Sequence, residues 1–426
     1  MIPSHKIIIY ITRDIERALG FEPCNNYRIV ANETPYSLTI KNQYPDYVTL
    51  IKSTSIKLLS TSDLVSHEIT KQLIEGLQNT NQANDDSQQV DKPFILVFKN
   101  SLRVETAIKE RGWQCLNPKS LLSERVENKF SQIRWLGDMA QNYLPPHVAK
   151  VTKLITWKND PFIIQWAHGH TGDGTLLIRT REELSAIQEN FPERLARLST
   201  YIKGSSFTVN AIVTTKRILI GNISYQITGL PPFTDNEFST IGNDWVLANK
   251  ILGQKEIGTV WDMVNKIGSK LQQDGWRGLF GVDLIREDQT NRVFLIEVNA
   301  RQPASTTFES FLQDSERRSG QNGLTTFEAH IRALLDLPID QDLVTIRSGA
   351  QIIQRVTKNV QGLFNDVGDK LKKNGFEVVV YENTDPNADL IRVQTLENFM
   401  ENPGLLNHAG REIAETIKSS GFNLKV

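Results

Sequence analysis

Near position 300 the chain reads LIEVNARQPAS (295–305), in which Glu297, Asn299 and Arg301 recur at every second position. Residues two apart on a strand share a face, so the three side chains project together if the strand persists that far. One further acid, Asp283, sits inside the apolar run GLFGVDLI (278–285), and the polar turn REDQTN joins the two runs. Two carboxylates and an amide oxygen on adjacent strands make a hard oxygen-ligand set. Mg²⁺ takes one or two carboxylates and leaves the rest of its octahedron to substrate phosphates and water. An arginine beside such an ion can hold an anionic substrate or a developing phosphoryl charge. The same spacing also fits an exposed Glu–Arg pair with Asp283 as an edge charge. Against this, Asp283 lies between Val282 and Leu284. Burying an acid there without a cation or good donors costs on the order of several kcal/mol.

The elements that must position these groups follow from the pattern of the chain. Its 426 residues are 39% hydrophobic and 23% charged with a formal charge of −1, the balance of a globular protein of two or three domains. No global positive field exists to gather nucleic acid or an anionic membrane. The two cysteines, Cys24 and Cys115, exclude a disulfide framework and a thiolate zinc site; both are expected to be small buried hydrophobes. The apolar run KIIIYIT is too short for a signal sequence or a membrane span, and the expected location is the cytoplasm.

Residues 6–12 and FILVF (94–98) read as buried strands, with RVETAIKERG (103–112) a short helix between the second strand and WQCLNP. That order predicts a small parallel sheet in the first third. The polar stretch 78–92 is expected to be a solvated loop. The segment 120–143 is helical and ends at Pro145-Pro146. A second α/β unit runs from about 150 to 200, residues 207–213 and 218–225 form a hairpin, and a helix covers about 257–274. QDSERRSGQNG (313–323) is expected to be a loop. From about 336 a small closing domain is expected, with strands at 349–356, 376–381 and 390–395 and a last helix near 405–420.

GLFGVDLI followed by FLIEVNARQPAS resembles the metal-binding hairpin of the ATP-grasp superfamily. The resemblance implies an α/β (α+β) ATP-grasp fold with a Rossmann-like N-terminal domain over 1–120, the ATP-grasp domain over 121–335 with a lid at about 145–200, and a small C-terminal α+β domain over 336–426. By the same resemblance Asp283, Glu297 and Asn299 ligate Mg²⁺ (or Mn²⁺) bridging the phosphates of ATP, and Arg301, with Asn299, acts on the γ-phosphoryl group or the substrate anion. Upstream, NPKSLLSERVENK (117–129) supplies an Asn-Lys pair, and Lys129 is the candidate phosphate contact. PFIIQWAHGHTGDGTLLI (161–178) resembles the strand and glycine-rich lid loop, with Gly169, Gly172 and Gly174 able to approach phosphate oxygens. RLSTYIKGSSFTV (197–209) resembles the adenine-gripping segment, with Thr200, Tyr201 and Ile202 at the adenine edge and Ser206 in an acid's place. Gln165 stands where this family has a lysine for the α- and β-phosphates, Ser199 replaces another acid, and Asp173 enters the loop.

The implied activity is an ADP-forming carboxylate–amine ligase acting through an acyl phosphate on small-molecule acid and amine substrates. The strands of the N-terminal domain are compatible with a homodimer. Gln302 to Thr307 are candidates to line the substrate pocket. Two other readings stay open: a nucleotide-binding or regulatory module without turnover, and an α/β structural protein whose LIEVNAR is an ion-pair cluster.

Overall fold

The computed structural model describes residues 2–55, 57–83, 93–167, 174–358 and 365–419. The N-terminal third builds a five-stranded sheet from β1 (Ile8–Thr12), β2 (Tyr27–Asn32), β3 (Val48–Ile51), β4 (Phe94–Val97) and β5 (Gln114–Cys115), ordered β3-β2-β1-β4-β5. Every pairing in it is parallel. Burial on both faces explains the unbroken apolar run of β1. Ile8 and Tyr10 pack with Phe327 and Ile331 on one side, and Ile7, Ile9 and Ile11 pack with Leu64 and Ile108 on the other.

A second, four-stranded sheet contains β6 (His147–Val151), β7 (Phe162–Gln165), β8 (Thr175–Ile178) and β9 (Leu195–Thr200), in the order β6-β9-β7-β8. The helix Arg181–Asn190 covers its outer face through Leu184 against Ile164, Ile178 and Ala196. The third sheet has eight strands, all antiparallel: β10 (Gly204–Val213), β11 (Ile218–Thr228), β12 (Thr240–Asp244), β13 (Gly278–Glu287), β14 (Val293–Asn299), β15 (Ala350–Arg355), β16 (Glu377–Val380) and β17 (Asp389–Thr395). Their order is β14-β13-β10-β11-β12-β15-β17-β16. The helix Gln254–Gln273 lays Val260, Met263, Val264, Ile267 and Leu271 on this sheet at helical spacing. Strands β15 to β17, from the segment after residue 336, thus extend the sheet that carries the site rather than forming one of their own.

Several local details depart from the sequence reading. The segment 120–143 is three helices, Ser120–Glu127, Lys129–Leu136 and Asp138–Tyr143, broken at Asn128 and Gly137. Asn128 is extended, and its side-chain oxygen accepts from Phe130 N–H and Ser131 N–H, an N-cap that starts a fresh helix at Lys129. Gly137 has φ of 59°, which a residue with a Cβ rarely adopts. The expected loop at 313–323 is wrong for its first half, because the helix Thr306–Arg318 runs through it. Its polar residues have helical or tertiary partners: Asp314 pairs with Arg317 and Arg318, Arg317 with Glu328, and Gln313 accepts from Thr326 N–H. The helix Glu68–Ala83 enters the stretch expected to be a loop at 78–92, whose remainder lies outside the described residues. Both cysteines are half-buried rather than buried, and burial pushes the Cys115 thiol up to about 11, which removes it as a nucleophile at neutral pH.

A buried charge network ties the N-terminal sheet to the large one. Asp389 on β17 accepts from Arg355, Arg17 and Arg392 at 2.6, 2.9 and 3.2 Å. Despite burial, these three guanidiniums hold its carboxyl below the usual carboxylate range. Tyr10 Oη adds a 2.7 Å hydrogen bond to Gln302 Oε1 just past β14.

Candidate active site

The site is built on the β13–β14 hairpin. Asp283 pairs directly with Glu297, and Gly281 with Asn299, so both carboxylates and the amide share one face. The register shifts between Asp283 and Leu284, leaving Ile296 as an extra residue on β14. Such a bulge re-aims the side chains beside it.

Asp283 Oδ1 accepts from Thr208 Oγ1 (2.7 Å) and Gln226 Nε2 (2.8 Å), and Oδ2 from Asn299 Nδ2 (2.9 Å). Burial raises its pKa and Glu297 adds to the rise, while Thr208, Asn299 and Arg301 oppose it. Lys129, at the first turn of its helix, sends Nζ to 2.5 Å from Glu297 Oε2. Arg301 Nη1 lies 2.6 Å from both Asn299 Oδ1 and Glu127 Oε1. Glu127 also accepts from Lys99 at 2.8 Å. Burial works against its ionisation, but Arg301 and Lys99 prevail and lower its pKa. The break at Asn128 thus serves the site: Glu127 ends one helix against Arg301, and Lys129 begins the next against Glu297.

The inner face of the four-stranded sheet closes over this hairpin. Together they line a cavity of about 430 Å³. Lys129, Gln165, Gly174, Thr200, Tyr201, Ile202, Ser206, Asp283, Glu297, Asn299 and Arg301 all reach it. Of the candidates from Gln302 to Thr307, Pro303, Ala304 and Ser305 line it. Gln302 instead bonds Tyr10, Thr306 Oγ1 donates to Pro303 O, and Thr307 Oγ1 donates to Glu16 O. The Thr200 amide N–H is already bonded to Pro146 O at 3.0 Å and so is not available to a ligand. Gly169 and Gly172, with His168, His170 and Asp173, fall outside the described residues.

Sequence reasoning missed Arg197 and Arg355, which line the same space, and Glu127, which holds Arg301. For Arg197 the signal was there: period two along RLST places it on the face of Ser199.

The donor chemistry suits a divalent cation. Asp283 and Glu297 are hard, mutually repelling carboxylates, and a cation between them would offset the burial that disfavours charge on Asp283. A parallel sheet, a four-stranded sheet over the cavity and a carboxylate hairpin on the eight-stranded sheet define a protein of the α/β class. Residues 126–305 match the family model described as an ATP-grasp domain. Solved structures share the fold over nearly the whole chain. N5-carboxyaminoimidazole synthase from Aspergillus clavatus, in complex with ADP and 5-aminoimidazole ribonucleotide, is similar at TM-score 0.63 and 14% identity, covering 97% of this chain and 98% of that one. The Staphylococcus aureus N5-carboxyaminoimidazole synthetase complexed with ADP gives 0.62 and 11%, covering 97% and 96%. The biotin carboxylase domain dimer of the Hydrogenobacter thermophilus 2-oxoglutarate carboxylase, with MgADP, ADP and bicarbonate, gives 0.59 and 11%, covering 92% and 86%. No curated protein sequence matches the chain. No helix among the described residues is long and apolar enough to cross a membrane.

Proposed function

We propose that the protein is an ATP- and Mg²⁺-dependent ligase that activates a small carboxylic acid, or bicarbonate, as an acyl phosphate and joins it to an amine. The observation that carries this reading is the in-register pair Asp283–Glu297, with Lys129 and Arg301 on either side of it. The similar structures hold ADP with an aminoimidazole in one case, and MgADP with bicarbonate in another, which supports the same pairing of acid, amine and nucleotide.

Mg-ATP, when bound, supplies the phosphoryl group. Asp283, Glu297 and Asn299 would hold the cation, and Lys129 would turn from Glu297 to the phosphates. Arg301, oriented by Glu127, fixes the acid so that its carboxylate oxygen meets the γ-phosphorus and ADP departs. The amine then attacks the acyl carbon, and phosphate leaves with the bonding pair of the C–O bond that breaks. Arg301 stabilises the oxyanion formed on the way. Enclosure under the β7–β9 face keeps water from the acyl phosphate.

ADP release across a panel of small acids and amines tests this, with hydroxylamine trapping an acyl phosphate as a hydroxamate. No hydroxamate with any acid, from a protein that binds Mg-ATP, would leave the second reading, a nucleotide-binding module without turnover. Gln165 favours that reading, since a neutral amide cannot neutralise phosphate.

A further inference from the structure

We propose that Arg197 is a polyphosphate-binding residue, supplying from β9 the positive charge that Gln165 on β7 lacks. This inference rests on the nucleotide reading of the cavity and names a residue that the family pattern does not.

Gln165 and Arg197 are direct cross-strand partners. Ile163, Gln165, Arg197 and Ser199 line the cavity, whereas Ile164, Ala196 and Leu198 pack on the opposite face. Arg197 is 2% exposed. Its Nε and Nη1 have no hydrogen-bond partner. The other arginines around this cavity have an acid: Arg301 has Glu127, and Arg355 has Asp389. Arg197 feels only the field of Glu297, which Lys129 already engages, and burial pulls its pKa down to about 10.

A buried guanidinium with idle donors is costly unless something anionic meets it. The planar fork suits phosphate oxygens. Its position on the wall that faces the Asp283–Glu297 floor suits the α- and β-phosphates of a nucleotide whose γ end lies at the cation. Gln165 then adds a neutral hydrogen bond beside it.

The experiment is calorimetric titration of wild type, Arg197→Gln, and Arg197→Gln combined with Gln165→Lys, using ATP, ADP and adenosine. Thermal melting of the ligand-free proteins accompanies it. Loss of a charge-assisted contact is expected to weaken ATP and ADP roughly 10- to 100-fold and leave adenosine unchanged. Ligand-free Arg197→Gln should melt no lower than wild type, because an unpaired buried charge has gone. The added lysine should recover much of the ADP affinity. Wild-type ADP affinity in Arg197→Gln overturns the proposal. A lower melting temperature with equal losses for adenosine and ADP also overturns it, by making Arg197 structural. If wild type binds neither ATP nor ADP, the nucleotide reading itself fails and takes this inference with it.

Discussion

Glu297 faces Asp283 across two adjacent antiparallel strands while its Oε2 holds Lys129 Nζ at 2.5 Å. One carboxylate therefore answers to a neighbouring acid and to a lysine from another element. A cation entering beside Asp283 would offset the first interaction and compete with the second, which would free Lys129 for an anion. Glu297→Gln keeps the shape but removes the charge. Mg-dependent ATP binding and ADP release should fall by at least about 100-fold, the scale of removing a charged group from a phosphoryl-transfer site. Circular dichroism should stay that of a folded protein, with a modest drop in melting temperature because Lys129 loses its partner. Unchanged ADP release in this variant would refute the metal assignment.

The Arg301–Glu127 pair should matter for the acid more than for the nucleotide. Glu127 is nearly buried and neutralises both Arg301 and Lys99. Glu127→Gln removes the ion-pair partner of Arg301 and leaves Asn299 Oδ1 as its remaining hydrogen-bond acceptor, so its side chain is held less firmly. Stability should drop by about 2–3 kcal/mol, below the full cost of a wholly buried pair because Arg301 and Lys99 keep partial access to water. Steady-state kinetics should show KM for the acid rising while KM for ATP stays. An equal rise in both would place Arg301 on the nucleotide.

Gly204 tests how closely β10 and β13 must approach at the cavity edge. It opens β10 opposite Glu287, and a Cβ there would lie 1.9 Å from the Arg286 carbonyl oxygen. That obstacle is backbone and cannot rotate away. Gly204→Ala should therefore part β10 from β13 at the cavity edge and cost about 1–3 kcal/mol. Denaturant unfolding and ATP titration should both register the loss. A variant as stable as wild type would mean the strands are farther apart in solution.

What the sequence revealed, and what it concealed, follows the range of the interactions. The pair Asp283–Glu297 was legible because a short turn fixes which strands meet, and period two fixes which side chains share a face. The parallel N-terminal sheet was legible for a similar reason, since runs buried on both faces read as unbroken apolar stretches. The pairing of Gly242 with Ile352, which carries β15 to β17 into the large sheet, joins distant segments and leaves no local trace. The helix Thr306–Arg318 hid behind polar residues whose partners are Glu328 and Thr326. Period two placed Arg197 on the face of Ser199, but its pairing with Gln165 on β7 shows only in the folded sheet.

Glu309, on the helix after the site loop, gives the fold a pH dependence of its own. Its Oε2 accepts from Asn210 Nδ2 and its Oε1 from the Asn222 N–H. Burial raises its pKa from 4.5 to about 7, with Asn210 and Asn222 opposing the rise. The folded protein therefore keeps a proton that the unfolded chain releases. Stability from this group is present below about pH 4.5 and is lost as pH rises through about 7, because the native state binds more protons over that window. The full swing is about 3 kcal/mol, from the width of the window at 1.36 kcal/mol per unit. Glu309→Gln cannot ionise, so the comparison isolates the effect. Urea unfolding at pH 4.5 and pH 8 should show wild type losing about 3 kcal/mol relative to the variant. A constant difference between the two proteins across that range would mean the carboxyl is already ionised at the lower pH.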